Sequence, residues 1–189
     1  MLKESSKRRL LEIARASITA AVEKRPLPKA QEDAPELQTR SGCFVTLKTH
    51  GDLRGCLGHF TSNQSLYTLI NETARASALD DPRFFSNRIR PAELKEVDIE
   101  ISVLSPLERI DDPMNIELGT HGIYIRSGMA AGCFLPQVAT ETGWSKEEFL
   151  GTCCSHKAGL ASDAWRDPET EVLVFTAEVF GEDDLHRRG

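Results

Sequence analysis

Cys43-Phe44-Val45-Thr46-Leu47-Lys48-Thr49-His50-Gly51-Asp52-Leu53-Arg54-Gly55-Cys56-Leu57-Gly58 reads as a strand, a turn and a second strand. Apolar Val45 and Leu47 alternate with Thr46 and Lys48, the period of a half-buried strand, and Gly51 can supply the positive φ of a tight turn. A three-residue loop, His50-Gly51-Asp52, pairs Thr49 with Leu53 and gathers Val45, Leu47, Leu53 and Leu57 on one apolar face. Arg54 and Cys56 then share the other face. A loop of two or four residues would bring Cys56 to the side of Val45 and Leu47 and bury Arg54 beside it. The first register is preferred, and the second stays open.

Outward from this hairpin, the chain alternates helical and extended patterns. Leu10, Leu11, Ile13, Ala14, Ile18, Ala21 and Val22 recur at helical spacing, predicting an amphipathic helix over 4–24 that ends before Pro26. Residues 25–40 hold Pro26, Pro28 and Pro35 and read as an extended connector. Leu66, Leu69, Ile70, Thr73, Ala74 and Ser77 predict a second helix, with Asn63 or Ser65 as N-cap and Asp80-Asp81-Pro82 as its stop. Val97, Ile99, Ile101 and Val103 alternate with polar residues in a half-buried strand. A second hairpin is expected from Gly122–Arg126 through Ser127-Gly128 to Cys133–Leu135. Ser145-Lys146-Glu147-Glu148 is a capping box, opening a helix that carries Phe149 and Leu150 and stops at Gly159. Residues 172–180 form a last strand. Strands that come in adjacent pairs imply an α+β fold, an antiparallel or mixed sheet with packed helices.

One domain is expected over the 189 residues: a core at 41–180 and a short polar tail at 181–189 complete the plan. The absence of an apolar run near the roughly 20 residues of a membrane span places the chain in the cytoplasm. A formal charge of −6 makes nucleic acid an unlikely partner, since phosphate binding draws on clustered Lys and Arg. Five cysteines form no secreted disulfide framework and read as free thiols.

Ser41–Leu47 running into Leu53–Gly58 resembles the hallmark of the AMMECR domain family. Asp81-Pro82-Arg83-Phe84, Glu100–Leu104, Gly119–Ile125, Leu135–Ala139, Gly143-Trp144 and Lys157–Leu160 resemble further segments of it in the same order. The resemblance covers nearly the whole chain and implies an α+β domain whose activity was long unassigned. It also implies partners. Microbial members are associated with a Memo-like protein and a radical S-adenosylmethionine (SAM) enzyme under the label AmmeMemoRadiSam, and this chain looks like protein A of that system. Two places depart from the pattern: Phe85-Ser86-Asn87-Arg88, where relatives often carry prolines, and Cys153-Cys154-Ser155-His156, to which no role is carried over.

Cys56 is the candidate nucleophile, because a nearby cation favours thiolate. His59 is the nearest candidate base along the chain, with His50, His121 and His156 as alternatives. Arg54, Gly55 and Gly58 are candidate substrate-binding residues, the arginine for an anionic group and the glycines for close approach of a ligand. Each has a plainer reading: a buried structural thiol, ordinary histidines, an arginine in an ion pair, glycines serving turns or bulges. No metal site and no cofactor is expected, since neither Cys56-Leu57-Gly58-His59 nor Cys153-Cys154-Ser155-His156 repeats the paired ligands of a zinc signature and no phosphate loop is present. Two functions follow. The chain is a cysteine-dependent enzyme or enzyme component acting on a small anionic or electrophilic substrate, or it is a non-catalytic module that presents its Gly-rich hairpin to a partner protein.

Overall fold

A computed structural model describes residues 2–29 and 32–182. The tail expected at 181–189 therefore lies outside the described residues from 183 onward. In chain order the elements are α1 (Glu4–Val22), β1 (Cys43–Thr49), β2 (Asp52–His59), α2 (Leu66–Leu79), β3 (Val97–Leu104), β4 (Glu108–Arg109), β5 (Gly122–Ser127), β6 (Ala130–Phe134), α3 (Pro136–Thr142), α4 (Lys146–Thr152), β7 (Glu171–Phe175) and β8 (Ala177–Gly181). The fold is α+β, as the paired strands imply, with two four-stranded sheets ordered β2-β1-β3-β8 and β4-β7-β5-β6. Among the described residues no helix is long and apolar enough to cross a membrane. Two compact units make up the chain: one takes in the described residues up to Val103 and from Glu178 onward, the other is Leu104–Ala177. The 1–189 domain read from the sequence contains both.

In the first unit α1 and α2 pack against each other, and α2 lies on β1 and β2. Leu10, Ile18, Val45, Leu47, Leu66, Ile70, Ile99 and Ile101 form the middle of its core. β1 is antiparallel to both β2 and β3. The hairpin departs from the expected register. Its loop has two residues, His50 and Gly51, both with positive φ (52° and 88°), as a type I′ turn requires. That loop alone would swing Cys56 to the side of Val45, but a β-bulge between Leu47 and Lys48 adds one residue to β2 and resets the pairing. Beyond the bulge, Leu47 opposes Gly55, Thr46 opposes Cys56 and Val45 opposes Leu57.

The consequences differ residue by residue. Leu57 lies on the side of Val45, and Cys56 on the opposite face, as expected. Leu53 pairs with Lys48 and is exposed, not part of the apolar face. Arg54 is the extra residue and turns to the side of buried Thr49, away from Cys56. The turn length had been tied to burying Arg54 and Cys56 together; the bulge separates them.

α2 fits the hairpin through Ser77. Its hydroxyl accepts from Leu57 N (3.0 Å) and donates to Val45 O (2.8 Å). Its carbonyl sits where a Cβ on Gly55 would be, 2.0 Å from that position.

In the second unit, β5 and β6 make the expected second hairpin. The Ser145–Glu148 capping box opens α4, which continues as a π-helical turn over Cys153–Ala158 and stops at Gly159, φ 69°. Phe149, Leu150, Cys153, Cys154 and Trp165 are buried in its core, and Phe134 stacks on Phe149 with centroids 5.4 Å apart. The aromatics around α4 serve packing.

Gly55→Ala should cost about 3 kcal/mol of stability, because the added methyl meets backbone that only a shift of α2 can clear. Gly51→Ala should cost only about 1 kcal/mol, since its Cβ meets nothing within 4 Å and the penalty is the left-handed backbone alone. Urea denaturation of both variants checks the order.

Candidate functional site

β2 is an edge strand, so backbone groups on its outer side lack a ladder partner. At Cys56 side chains supply one. Asp81 Oδ2 accepts from Cys56 N at 2.9 Å, and Arg83 Nη2 donates to Cys56 O at 3.0 Å. Because both backbone groups of Cys56 face outward, its pairing with Thr46 is the close, non-hydrogen-bonded kind, and Thr46 Oγ1 donates to Cys56 Sγ at 3.3 Å.

The local sequence explains this. α2 ends at Leu79, and Pro82 forces Asp81 into an extended conformation (φ −68°, ψ 112°). Asp81 then caps the short 3₁₀ turn Pro82–Phe84, its Oδ1 accepting from Arg83 N at 3.1 Å. The same carboxylate receives the Arg83 side chain through Nε (3.0 Å) and Nη2 (2.6 Å). Asp81 is 2% exposed, whereas the Arg83 side chain is 56% exposed, so a buried carboxylate holds a cation that stays at the surface.

The Arg83 side chain holds the Asp81 carboxyl down at about 2 against the opposing effect of burial, helped by the amides of Cys56 and Arg83. Arg83 is raised in turn, first by Asp81, with the nearby Cys56 thiol also contributing.

Arg54 has other work. Its Nη1 donates to Glu93 Oε1 (3.1 Å) and lies 3.5 Å from Thr49 Oγ1, while Nη2 reaches Asn87 O at 3.4 Å. Glu93 is held at about 2, mainly by Arg90 through side chain and backbone, then by Arg54. The plainer reading of Arg54, a pair with an acidic residue on an adjacent strand, holds in part: the ion pair is there, but its partner Glu93 lies on the 3₁₀ turn Pro91–Glu93 and not on a strand.

His59 is exposed at the end of β2, where it pairs with Cys43, and strand alternation puts it on the face opposite Cys56. The structure does not bring the two together. His50 Nε2 lies 3.4 Å from Glu96, His121 Nδ1 accepts from Glu117 N at 3.1 Å, and His156 is exposed in the second unit. The close approach expected at Gly55 and Gly58 is made by the chain itself: Ser77 O at the first, and Cys43 O with the Phe44 ring at the second.

Cys43, Cys153 and Cys154 are buried, while Cys56 and Cys133 are partly exposed. Burial pushes Cys43 up to about 12 and Cys133 up to about 11, the latter opposed by Lys157, and raises Cys153 and Cys154 as well. Among the described residues no three His, Cys, Asp or Glu side chains converge as metal ligands.

Asp81 and Arg83 are the residues that sequence reasoning missed as site members. The signal was local: an aspartate held extended by Pro82 directly after a helix end, with an arginine two positions on to share its carboxylate.

The family model described as AMMECR1 matches residues 11–180, a span that includes all of Leu104–Ala177 and part of the first unit. A protein of Methanothermobacter thermautotrophicus is 41% identical over 183 residues, covering 93% of this chain and 94% of its own. Protein TK0174 of Thermococcus kodakarensis is 40% identical over 188 residues, covering 92% and 89%. The crystal structure of the uncharacterized protein PH0010 from Pyrococcus horikoshii is similar with a TM-score of 0.86 and 36% identity, covering 96% of this chain and 93% of that one.

Acid should expose the Asp81 contribution. A carboxylate whose folded pKa is depressed stabilises the fold above its unfolded value and loses that contribution as pH falls through the folded value, here between about 4 and about 2. Wild type should lose about 2 kcal/mol more than Asp81→Asn across that window, measured by denaturation at each pH. Glu93 titrates in the same window in both proteins, so the difference isolates Asp81.

Proposed function

The chain belongs to the AMMECR1 family, and on that footing we propose that its working site is the Cys56 edge of β2, where Arg83 receives a small anionic or electrophilic substrate and the Cys56 thiol meets it. The observation that carries this reading is the guanidinium of Arg83, held by the carboxylate of Asp81 and the carbonyl of Cys56 in a side chain that is more than half exposed. A planar cation held beside a partly exposed thiol can attract an anionic group through its charge and through the N–H donors of Nη1, which Asp81 and Cys56 leave unused. Arg54, bound to Glu93, takes no part, and the reading assigns no base, since His59 faces the other way. On this proposal the protein is a cysteine-dependent enzyme or enzyme component that works with Memo-like and radical SAM proteins. That assignment of partners rests on the resemblance to protein A of the AmmeMemoRadiSam system.

A docking role for the hairpin draws less support from Gly55 and Gly58, whose faces are covered by Ser77, Cys43 and Phe44. Strand addition at Cys56 is blocked as well, because Asp81 and Arg83 already bond its outward groups. Partner contact would use the tip, where His50, Gly51 and Leu53 are exposed. Valine at Gly55 or Gly58 would test packing and not docking.

Alkylation of Cys56 by iodoacetate and by iodoacetamide, followed by peptide mass spectrometry, tests the proposal. The ratio of the two rates should fall about fivefold in Arg83→Gln, the equivalent of roughly 1 kcal/mol between charges near a protein surface. An unchanged ratio in a variant with a wild-type denaturation midpoint would sink it, as would a Cys56 that neither reagent modifies in the folded protein.

A further inference from the structure

The Cys56 thiol has a polar neighbour on the next strand as well as at the sheet edge. Thr46 of β1 stands directly opposite it in a non-hydrogen-bonded pair, the kind that brings side chains closest, and Thr46 Oγ1 lies 3.3 Å from Cys56 Sγ. A second threonine–cysteine contact in this unit, Cys43 with Thr73, spans 4.0 Å, and its thiol is buried. The Thr46 contact is shorter, and it falls on a partly exposed sulfur.

Three features keep the Thr46 hydroxyl on that sulfur. A β-branched side chain is stiff at χ1, so Oγ1 does not wander. Among the described residues Oγ1 has no hydrogen-bond partner other than Cys56 Sγ. The competing acceptor is Glu100, which pairs with Thr46 from β3, and Lys48 engages that carboxylate at 3.2 Å. While the thiol keeps its proton, either group can donate to the other. Once the proton has left, sulfur is an acceptor only, and the bond from Thr46 becomes charge-assisted. A hydrogen bond that strengthens on deprotonation favours the thiolate.

We propose that Thr46 is a positioning residue for Cys56, holding the sulfur in place and stabilising the thiolate that attacks an electrophile. This rests on the reading of Cys56 as the reacting thiol. Thr46 and Arg83 then have different tasks: the neutral hydroxyl acts on the sulfur whatever the charge of the substrate, and the guanidinium acts on an anionic substrate.

The test is the rate of Cys56 alkylation by iodoacetamide in the full chain, followed by peptide mass spectrometry from about pH 6 to about pH 10, across the ordinary range of a thiol. In this step the proton goes to solvent, the sulfur lone pair forms the S–C bond, and the C–I bond breaks to release iodide. In Thr46→Val, which keeps the branched shape, the midpoint of rate against pH should rise by about one unit, with the rate well below it falling about tenfold. Thr46→Ser keeps the hydroxyl and should restore most of the shift. The ratio of iodoacetate to iodoacetamide rates should stay at the wild-type value in both, because no charge has changed. Thr46→Ala replaces the valine variant if valine disturbs the denaturation midpoint. An unmoved profile in a stably folded variant overturns the proposal, as does an equal change at every pH, which marks packing alone, or a serine variant that behaves like valine. A wild-type Cys56 that neither reagent modifies overturns the reading of the site itself, so the two failures are distinct.

Discussion

The seating of α2 on the first hairpin through Ser77 governs the first unit. A helix approaches a strand this closely only where the strand lacks a side chain, and Gly55 provides that gap for the Ser77 carbonyl. The Ser77 hydroxyl then joins the two strands by bonding Leu57 N and Val45 O. Four residues later along the chain, Asp81 arrives at the free edge of β2 and meets Cys56. The position of the candidate site follows from helix packing, not from the hairpin alone.

Much of this was legible in the amino-acid sequence. The 3.6-residue period marked α1 and α2, the alternation at Val97–Val103 marked β3, and the Ser145–Glu148 capping box and Gly159 bracketed α4 with its π-helical turn. Hairpin register was harder. Turn length and bulge have opposite effects on side-chain parity, so the expected placement of Cys56 and Leu57 holds while Leu53 and Arg54 exchange sides. A bulge leaves no composition signal beyond a glycine that serves several other purposes. The Asp81–Cys56 contact joins positions 25 apart, and strand and helix periodicity carry no information about such pairings.

Two arginines exchanged roles for electrostatic reasons. Arg54, two positions before Cys56 in sequence, is nearly buried and must be neutralised, which Glu93 does while also holding Arg90. Arg83 lies at the surface, so its neutralisation by buried Asp81 is partial in space: Nε and Nη2 are committed, and Nη1 is not. A partly committed cation is the more useful one for recognition, because a fully enclosed arginine has no donors left to offer.

The first sheet is assembled from both ends of the sequence: β8 lies beside β3, and Glu182 just beyond it bonds Arg15 of α1, whose guanidinium also holds the carbonyls of Leu94 and Val97. During synthesis on the ribosome, β1, β2 and β3 emerge long before residues 177–182 exist, and all of Leu104–Ala177 is made in the interval. The nascent sheet therefore waits with one flank open while an inserted segment of the chain forms its own core. Such long-range closure slows folding and prolongs exposure of an unfinished flank, so the first unit is complete only once β8 has been made.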